Sequence, residues 1–355
     1  MTVDLQHHGD RDATPGLVDL AVNVRLNSPP PWLAEVIRGT VTDLGRYPEP
    51  TAATRAIAER HGVPVEAVLP TAGGAEAFTL VARALAPRAA VVVHPQFTEP
   101  EAALRAAGHR PERHLLSPDT GFRFEAEPFE SAHGRTDLVM VGNPTNPTGV
   151  LHPADQLQSL RRPGRTLVVD EAFMDAVPGE PESLIGQSLP DLSDLKGLLV
   201  LRSLTKTWGL AGLRAGYVVG DPDLVATLRS AQPPWSVSAP AVAAMVATAT
   251  PAAVAEAAAA ALEFDSWRSD LERSLAEVDL PKQHASRAPF LLIDTSPIGP
   301  GSLRGALADR GLAVRRGETF PGLGPTWVRV AVRHPAVSRR LAEALADVKE
   351  GYRAA

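Results

Sequence analysis

The sequence predicts an α/β protein in which a mainly parallel sheet forms the large part and a smaller α+β unit follows. Short apolar runs alternate with helical segments, which is typical of a sheet covered by helices on both faces. The five runs are residues 90–93, 138–142, 166–170, 198–201 and 215–219. After residue 262, a long charged helix and two further apolar runs at 290–294 and 327–332 predict the smaller unit.

Helical patterns fill the intervals between these runs. Residues 51–61 and 75–86 are predicted to be helices, and a further short helix is predicted near 302–310. The alanine-rich stretch 239–264 is interrupted by Pro251 and carries two glutamates. We therefore expect a packed helical pair there and not a membrane span.

The N-terminal region differs in composition from the rest of the chain. It is rich in proline and polar residues and shows little periodicity, so we expect an arm that lies across another surface. We predict that the arm and the C-terminal part together form the small domain. The predicted division is an N-terminal arm at residues 1–40, a large domain at 41–262 and a C-terminal small domain at 263–355.

Composition argues against several classes of protein. The chain has 355 residues, 44% of them hydrophobic, which is ample for a large core. Its net charge of -6 argues against electrostatic binding to nucleic acid. It has no cysteine, which excludes disulfides, thiolate metal sites and cysteine nucleophiles. The N-terminus carries no signal-peptide pattern, so we expect a cytoplasmic protein, and we assign no metal.

Lys206 is the first candidate catalytic residue. The chain has four lysines, whereas arginine supplies nearly all the other cationic side chains. An arginine stays protonated near neutral pH and cannot form an imine, while a lysine can act as a Schiff-base amine. A lone lysine is most often a solvated surface residue. The neighbouring hydroxyls of Ser203 and Thr205 and the nearby Arg214 favour the chemical interpretation.

Polar or unusual residues follow the predicted strands at the points where the strands end. Phe97 comes shortly after the first run, residues 143–149 follow the second, and Asp170 ends the third. Ser203 and Lys206 follow the fourth. Because ligands of open α/β sheets bind outside the carboxyl ends of the strands, we expect these residues to share one ligand site. No strand leads into a G-x-G-x-x-G sequence, which disfavours a dinucleotide.

One part of this expected site suits a phosphate group. Gly73 and Gly74 open a predicted helix, and the free N–H groups at a helix start, with glycines allowing close approach, suit a phosphate. Ser203, Thr205 and Arg214 add hydroxyls and a guanidinium for the same anion.

The remaining residues indicate an aromatic ring and an aldehyde. Asp170 is a carboxylate at a buried strand end and needs a cationic partner, such as a protonated ring nitrogen. Phe97 offers a flat face for the ring, and Asn146 offers a hydrogen bond to a ring substituent. Lys206 supplies the amine for an aldehyde. A phosphate, a protonated ring nitrogen, a hydroxyl and an aldehyde together describe pyridoxal 5′-phosphate.

The segment 203–216 resembles the lysine signature of fold-type I, pyridoxal-phosphate-dependent enzymes of the class I/II aminotransferase family. The resemblance covers essentially the whole chain. Residues 46–50 resemble a sequence element of one branch of this family, which includes histidinol-phosphate aminotransferase and the threonine-phosphate decarboxylase of cobalamin biosynthesis. Several further details favour the decarboxylase. They are residues 8–9, 21–24, 170–175, 201–206, 234–237, 320–323 and 328–333.

The resemblance implies a role for each candidate residue. Lys206 resembles the Schiff-base lysine, Asp170 the partner of the ring nitrogen, and Asn146 the contact of the ring hydroxyl. The residues that resemble the cofactor-phosphate site are Gly73, Gly74, Ser203, Thr205, Arg214 and, reaching the neighbouring subunit's cofactor, Tyr47. The residues that resemble substrate contacts are His8, Gly9, Asn23, Asn146, Arg315 and Arg329, the last as the carboxylate-binding arginine.

Two positions depart from the family pattern. Phe173 stands where many aminotransferases carry a tyrosine that hydrogen-bonds the ring hydroxyl, which favours the decarboxylase and leaves Asn146 as the main donor. Ala75 lacks a hydroxyl, so some phosphate contacts would come from the backbone alone. Arg315 and Arg316 are adjacent, and their alternation on a strand leaves open which one points inward.

We therefore expect a homodimeric enzyme that acts on a small phosphorylated amino acid. The preferred interpretation is a decarboxylase of O-phospho-L-threonine. The alternative is an aminotransferase of the histidinol-phosphate type, which would use the same residues and a 2-oxo acid. A cofactor-binding regulator or an inactive relative is a third hypothesis. We expect no regulator, because the short arm before the sheet leaves no room for the DNA-binding domain that a regulator of this family would carry, and the presence of Lys206 and Asp170 disfavours an inactive relative.

Overall fold

The computed structural model describes residues 4–185, 192–280 and 284–354, which form eleven strands and eleven α-helices joined by turns and short 3-10 helices. The strands are β1 (Val18–Leu20), β2 (Val68–Thr71), β3 (Ala90–His94), β4 (Glu112–Leu115), β5 (Leu138–Gly142), β6 (Thr166–Asp170), β7 (Leu198–Ser203), β8 (Gly216–Gly220), β9 (Phe290–Asp294), β10 (Leu312–Arg316) and β11 (Trp327–Ala331). The helices are α1 (Pro31–Gly39), α2 (Thr51–His61), α3 (Gly73–Ala84), α4 (Glu99–Ala106), α5 (Ala126–His133), α6 (Ala154–Gln158), α7 (Pro222–Ala231), α8 (Ala239–Thr248), α9 (Pro251–Ala276), α10 (Arg304–Ala308) and α11 (Pro335–Ala354).

Seven strands form the large sheet, in the order β2-β8-β7-β6-β5-β3-β4. β8 runs antiparallel to both of its neighbours, and the other neighbouring pairs are parallel. Alternate residues along a strand pack into different apolar clusters: Val139 and Val141 lie in one, Leu138 and Met140 in the other. Both faces of the sheet are therefore buried. The predicted mainly parallel α/β architecture is confirmed.

The two edge strands of this sheet, β2 and β4, were missed by the apolar-run pattern. β2 contains Pro70, which cannot donate to a strand ladder and so weakens the sequence signal for a strand. β4 carries Glu112, Arg113 and His114 and is partly exposed, as is typical of an edge strand. Neither strand resembles the continuous apolar runs of the buried centre.

Four strands form the smaller sheet, in the order β1-β10-β11-β9. β1 comes from the N-terminal region and runs parallel to β10, so residues from both ends of the chain share one sheet. Arg315 on β10 and Arg329 on β11 are directly opposite each other, which places both side chains on the same face. The predicted boundary at residue 262 lies within α9, and the division of the chain into domains stays a prediction.

The alanine-rich stretch forms two helices, α8 and α9, which separate at residues 249–250 as Pro251 predicts. They do not pack along each other as expected, because α8 packs mainly against α1 and α2 and α9 mainly against α11. In the described ranges no single helix is long and apolar enough to cross a membrane. α8 and α9 reach that length and composition only together, and they are bent by 77° at their junction.

A buried carboxylate links β3 to α4, beside the predicted ring contact Phe97. The side chain of Glu101 is fully buried, and its oxygens lie 2.9 Å from Nε2 of His94, 2.7 Å from Nε of Arg105 and 2.9 Å from Nη2 of Arg113. Burial alone would raise the pKa of this carboxyl, but the hydrogen bonds from His94, Arg113 and Arg105 outweigh it and lower the pKa to about 2. The carboxylate therefore stays ionised in the folded protein at pH values where the unfolded chain protonates it.

We expect Glu101→Gln to lower the free energy of unfolding at pH 7 by roughly 1.5–3 kcal/mol, the scale of a hydrogen bond to a charged group. A carboxyl with a lowered pKa contributes stability above its unfolded pKa and loses it as the pH falls through the folded pKa. The difference from the wild type should therefore shrink between pH 4.5 and about 2. Urea unfolding at several pH values measures it. Glu112→Gln is the matched control, because that side chain is 73% exposed. A Glu101→Gln protein as stable as the wild type at pH 7 contradicts the prediction.

Candidate active site

A cavity of about 390 Å³ lies at the carboxyl edge of the large sheet. This volume is within the range of small-molecule sites, roughly 300–1,000 Å³. Twelve of the fifteen residues predicted from the sequence line it: His8, Gly9, Asn23, Gly74, Phe97, Asn146, Asp170, Ser203, Thr205, Lys206, Arg214 and Arg329. Gly73, Tyr47 and Arg315 are not among the lining residues.

Lys206 follows β7, and its Nζ lies 5.8 Å from the centre of the Phe173 ring. Burial, and then the guanidinium groups of Arg329 and Arg214, lower the pKa of Lys206 to about 8. The carboxylate of Asp170 acts in the opposite direction. At neutral pH, a much larger fraction of this amine is therefore neutral than of the amine of an exposed lysine. The neutral amine is the form that attacks an aldehyde.

Asp170 ends β6 and faces the same cavity. One of its oxygens accepts the N–H of Ala172 at 3.0 Å. Burial raises the pKa of Asp170 to about 6, while this hydrogen bond and the charge of Lys206 act to lower it. A nearby cation would stabilise the ionised form of a buried carboxylate whose pKa is raised in this way. A protonated ring nitrogen meets that requirement.

Behind the cavity, a fully buried arginine ties β6 to β7. Nη2 of Arg202, on β7, lies 2.8 Å from Oε2 of Glu171 and 2.6 Å from Oε2 of Glu180. The same nitrogen is 2.9 Å from the hydroxyl oxygen of Ser183. Glu171 directly follows the last residue of β6, and Arg202 directly precedes the last residue of β7. The ion triad therefore holds together the two strand ends that carry the site.

The predicted phosphate-binding residues meet at the start of α3. The hydroxyl oxygens of Ser203 and Thr205 lie 2.8 Å apart. Gly73 has a φ of 77°, and a Cβ at this position would be 2.7 Å from Nη2 of Arg214. Glycine is therefore required for the guanidinium to approach the helix start so closely. Gly74 follows in the first turn. The N-cap residue, Ala72, has no side chain that could accept the free N–H groups there, and the backbone N–H that Glu76 accepts is that of Ala72, so the N–H groups of the first turn suit an anion.

An aromatic group forms another part of the cavity wall. The Phe97 ring centre lies 5.5 Å from that of His8 and 6.4 Å from that of Phe78. Phe78 also lines the cavity, although the sequence analysis did not single it out. It follows Gly74 by four residues, so helical spacing from the glycine pair could have identified it.

Arg329, on β11, is held by residues from distant parts of the chain. Its Nη1 donates to Oδ1 of Asn146 at 2.5 Å, and its Nη2 donates to the carbonyl oxygen of Ala21. With its amide oxygen turned towards the guanidinium, Asn23 accepts from Nη1 at 3.1 Å and from Nε at 3.2 Å. Burial, and then the charge of Arg315, lower the pKa of Arg329 to about 9, so it remains a cation at neutral pH. The amide N–H groups of Asn146 remain for a ring hydroxyl.

These residues fit pyridoxal 5′-phosphate. The amine of Lys206 and the carboxylate of Asp170 share the cavity with the hydroxyls and guanidinium at the start of α3. The close approach of Arg214 to Gly73, which a Cβ would block, places a guanidinium at the helix start, where it suits the cofactor's phosphate. Within the described ranges, no group of three histidine, aspartate or glutamate side chains could hold a metal ion.

Tyr47 lies on the surface, outside the cavity of its own chain. Its side chain is 76% exposed and stacks on the Trp235 ring, with ring centres 4.3 Å apart and planes inclined by 25°. Its role at a neighbouring subunit stays a prediction.

Arg315 is bound by the N-terminal segment. Its Nη1 lies 2.9 Å from Oδ2 of Asp12, and its Nη2 donates to the carbonyl oxygen of His7 at 2.7 Å. Arg316, next to it, is partly exposed and places its Nε 3.0 Å from Oδ1 of the same aspartate. Arg315 is thus the arginine that shares a face with Arg329, and its contact with substrate stays a prediction. The sequence analysis missed Asp12, which is 303 residues from Arg315 and has no local pattern to mark it.

Comparison with known proteins gives a family and several relatives. The family model for aminotransferase class I and II matches residues 15–345. The chain is 46% identical to a histidinol-phosphate aminotransferase of Mycobacterium tuberculosis, over 92% of this chain and 87% of that protein. It is 30% identical to the threonine-phosphate decarboxylase of Salmonella typhimurium, over 94% and 92%. The fold is similar to that of an aspartate aminotransferase from Thermus thermophilus with maleate, with a TM-score of 0.82, 25% identity, and coverage of 94% and 92%.

We expect borohydride reduction in the presence of pyridoxal phosphate to attach the cofactor covalently to Lys206, because this amine lies in the cavity with a lowered pKa. Lys206→Ala should abolish the attachment and reduce turnover by several orders of magnitude. Lys196→Ala is the matched control, since Lys196 is 69% exposed and pairs with Asp223. Peptide mapping by mass spectrometry locates the adduct. An adduct on Lys196 or Lys349 in the wild type contradicts the assignment.

Proposed function

The chain belongs to the class I and II aminotransferase family of pyridoxal-phosphate-dependent enzymes, and we propose that it is an aminotransferase of the histidinol-phosphate type. Such an enzyme moves an amino group from a phosphorylated amino compound to a 2-oxo acid. The observation that carries the proposal is the 46% identity to a histidinol-phosphate aminotransferase over 92% of the chain. This reverses the order of the two interpretations that the sequence patterns gave, in which the decarboxylase came first.

The residues of the cavity suit this reaction. When bound, pyridoxal phosphate supplies an electron-accepting ring that makes the proton on the substrate's α-carbon removable. Nζ of Lys206 takes that proton, and its lowered pKa suits a base near neutral pH. The carboxylate of Asp170 keeps a proton on the ring nitrogen. Arg329 and Asn23 bind the anionic group of each substrate, phosphate in one and carboxylate in the other.

Threonine-phosphate decarboxylation is the second candidate. It is supported by the 30% identity to the Salmonella typhimurium enzyme over 94% of the chain. Phe173, which packs edge-on against Phe290 with ring centres 4.9 Å apart, supports it as well, because it cannot hydrogen-bond a ring hydroxyl as tyrosine does in many aminotransferases. Both reactions use Lys206 and Asp170. They differ in whether a proton or the carboxylate leaves the α-carbon.

Two assays on the holoenzyme separate the candidates. With histidinol phosphate and 2-oxoglutarate together, we expect continuous formation of glutamate that depends on both substrates. With O-phospho-L-threonine and no 2-oxo acid, we expect no sustained release of carbon dioxide. Lys206→Ala is the control for background reaction in both assays. Carbon dioxide release over many turnovers would reject the aminotransferase and establish the decarboxylase, and inactivity in both assays would reject both.

An exposed apolar surface supports a homodimer. Large hydrophobic side chains are exposed along residues 32–47, among them Val41 at 60%, Leu44 at 57% and Tyr47 at 76%. Trp235 extends the patch by stacking on Tyr47. Contiguous exposed apolar side chains of this kind mark interaction surfaces. A second copy of the chain would bury them, and it would bring Tyr47 towards the partner's cofactor phosphate, the role that the sequence resemblance implies.

We expect Val41→Asp to convert a dimer into a monomer, because it places a charge in the centre of the apolar patch. Sedimentation velocity at micromolar protein concentration measures the change. Leu262→Asp is the matched control, since Leu262 is 63% exposed and lies on α9, outside residues 32–47. A Val41→Asp protein that sediments as the wild type does would place the interface elsewhere.

A further inference from the structure

Residues 5–12 form a segment across the mouth of the cavity, which we call the N-terminal strap. His8, Gly9 and Asp10 line the cavity from this segment. Gly9 packs so closely that a Cβ there would be 2.8 Å from the carbonyl oxygen of Ala21 and 3.4 Å from Nη2 of Arg329. The strap therefore rests directly on the arginine that faces the cavity.

The first half of the strap is tied to the large-sheet side. The carbonyl oxygen of Leu5 accepts the hydroxyl of Thr98 at 2.7 Å. Nε2 of His8 lies 2.7 Å from Oε1 of Glu99, at the start of α4. The His8 ring also lies against Phe97, the residue just before Thr98. These contacts turn the imidazole of His8 over the aromatic wall of the cavity.

The far end of the strap is tied to the small sheet by Asp12. This side chain is fully buried, with its oxygens 2.9 Å from Nη1 of Arg315, 3.0 Å from Nε of Arg316 and 3.1 Å from Nη2 of Arg304. Its Oδ1 also lies 3.2 Å from Nε2 of His7. Three guanidinium groups thus surround one buried carboxylate, and Glu318 adds a further negative charge that acts on Arg315.

Asp12 also controls the electrostatics of Arg329. Arg315 and Arg329 are opposite each other on neighbouring strands, and their like charges repel. Asp12 offsets this repulsion, because the charge of Arg315 acts to lower the pKa of Arg329 and that of Asp12 acts to raise it. Both guanidinium groups can therefore face the same region while charged.

Building on the proposed function, we propose that Asp12 and Glu99 are positioning residues whose carboxylates hold the strap closed, which sets His8 and Gly9 in the cavity wall for the substrate's phosphate. A phosphate dianion at the mouth meets the side chains of His8 and Arg329, which line the cavity. A substrate without this phosphate loses the contacts made by the strap. The two carboxylates thus act on the selection of a phosphorylated substrate and not on the proton transfer at Lys206.

The variants Asp12→Asn and Glu99→Gln test this in the holoenzyme. Each is expected to raise KM for histidinol phosphate by about tenfold or more and to leave kcat within about threefold. KM for 2-oxoglutarate should rise less than KM for histidinol phosphate, because its carboxylate meets Arg329 but has no phosphate for the strap to contact. The Kd of pyridoxal phosphate should not change, because its phosphate site lies at α3. Glu99 is only partly buried, so it tests the proposal even if Asp12→Asn does not fold. Asp4→Asn is the matched control, since the side chain of Asp4 is exposed and accepts a local hydrogen bond from the N–H of Gln6.

Hydrogen exchange of residues 5–12, followed by mass spectrometry, reports on the strap independently of turnover. We expect faster exchange in both variants, and inorganic phosphate should slow exchange in the wild type more than in the variants. An unchanged KM for histidinol phosphate, or a fall in kcat alone, overturns the proposal. If the wild type turns over only O-phospho-L-threonine, the aminotransferase proposal fails and KM for that substrate is used instead. If it turns over neither, exchange decides: no difference between wild type and variants overturns the strap proposal as well.

Discussion

An ion triad of Arg202, Glu171 and the partly exposed Glu180 joins the two strand ends that carry the candidate active site, although none of the three lines the cavity. Removing one member of a buried charge pair typically costs about 3–5 kcal/mol, because the remaining charge is left without compensation. Arg202 and Glu171 adjoin the last residues of β7 and β6, so the triad and the strand ladder together set where those strands end. The triad thereby fixes the backbone on which Asp170 and Lys206 lie. Both side chains can then stay buried at the cavity, where burial shifts the pKa of each away from its ordinary value.

The two sheets supply different groups of residues to the site. The large sheet and α3 supply the groups that suit the cofactor, including Asp170 and Lys206. The small sheet and the N-terminal region supply the groups that suit the substrate, of which Arg329 is the centre. The proposed cofactor contacts and the proposed substrate contacts thus lie on separate elements. Such a division is compatible with similar chains that carry the names of an aminotransferase and a decarboxylase.

Much of the site could be predicted from the sequence, because parallel strands bring their carboxyl ends to one edge of the sheet. Residues that follow different strands in the sequence, such as Asp170 and Lys206, therefore lie close together in the fold. The contacts of Asp12 could not be predicted in this way, because its partner Arg315 is 303 residues away and no periodicity connects them. The edge strand with Pro70 was missed because its composition argues against a strand. The sequence patterns favoured the decarboxylase, whereas the relatives favour the aminotransferase. The patterns could not decide between them, because the same residue types serve removal of the α-proton and loss of the carboxylate.

The pairing of β1 with β10 has a consequence for the order in which the protein is built. A ribosome adds about 5–20 residues per second, so roughly 15–60 s separate the synthesis of Asp12 from that of Arg315. During this interval all seven strands of the large sheet emerge, while β1 and the strap have no partner strand. The nascent chain thus completes its large sheet before β1 and Asp12 can dock on the small sheet.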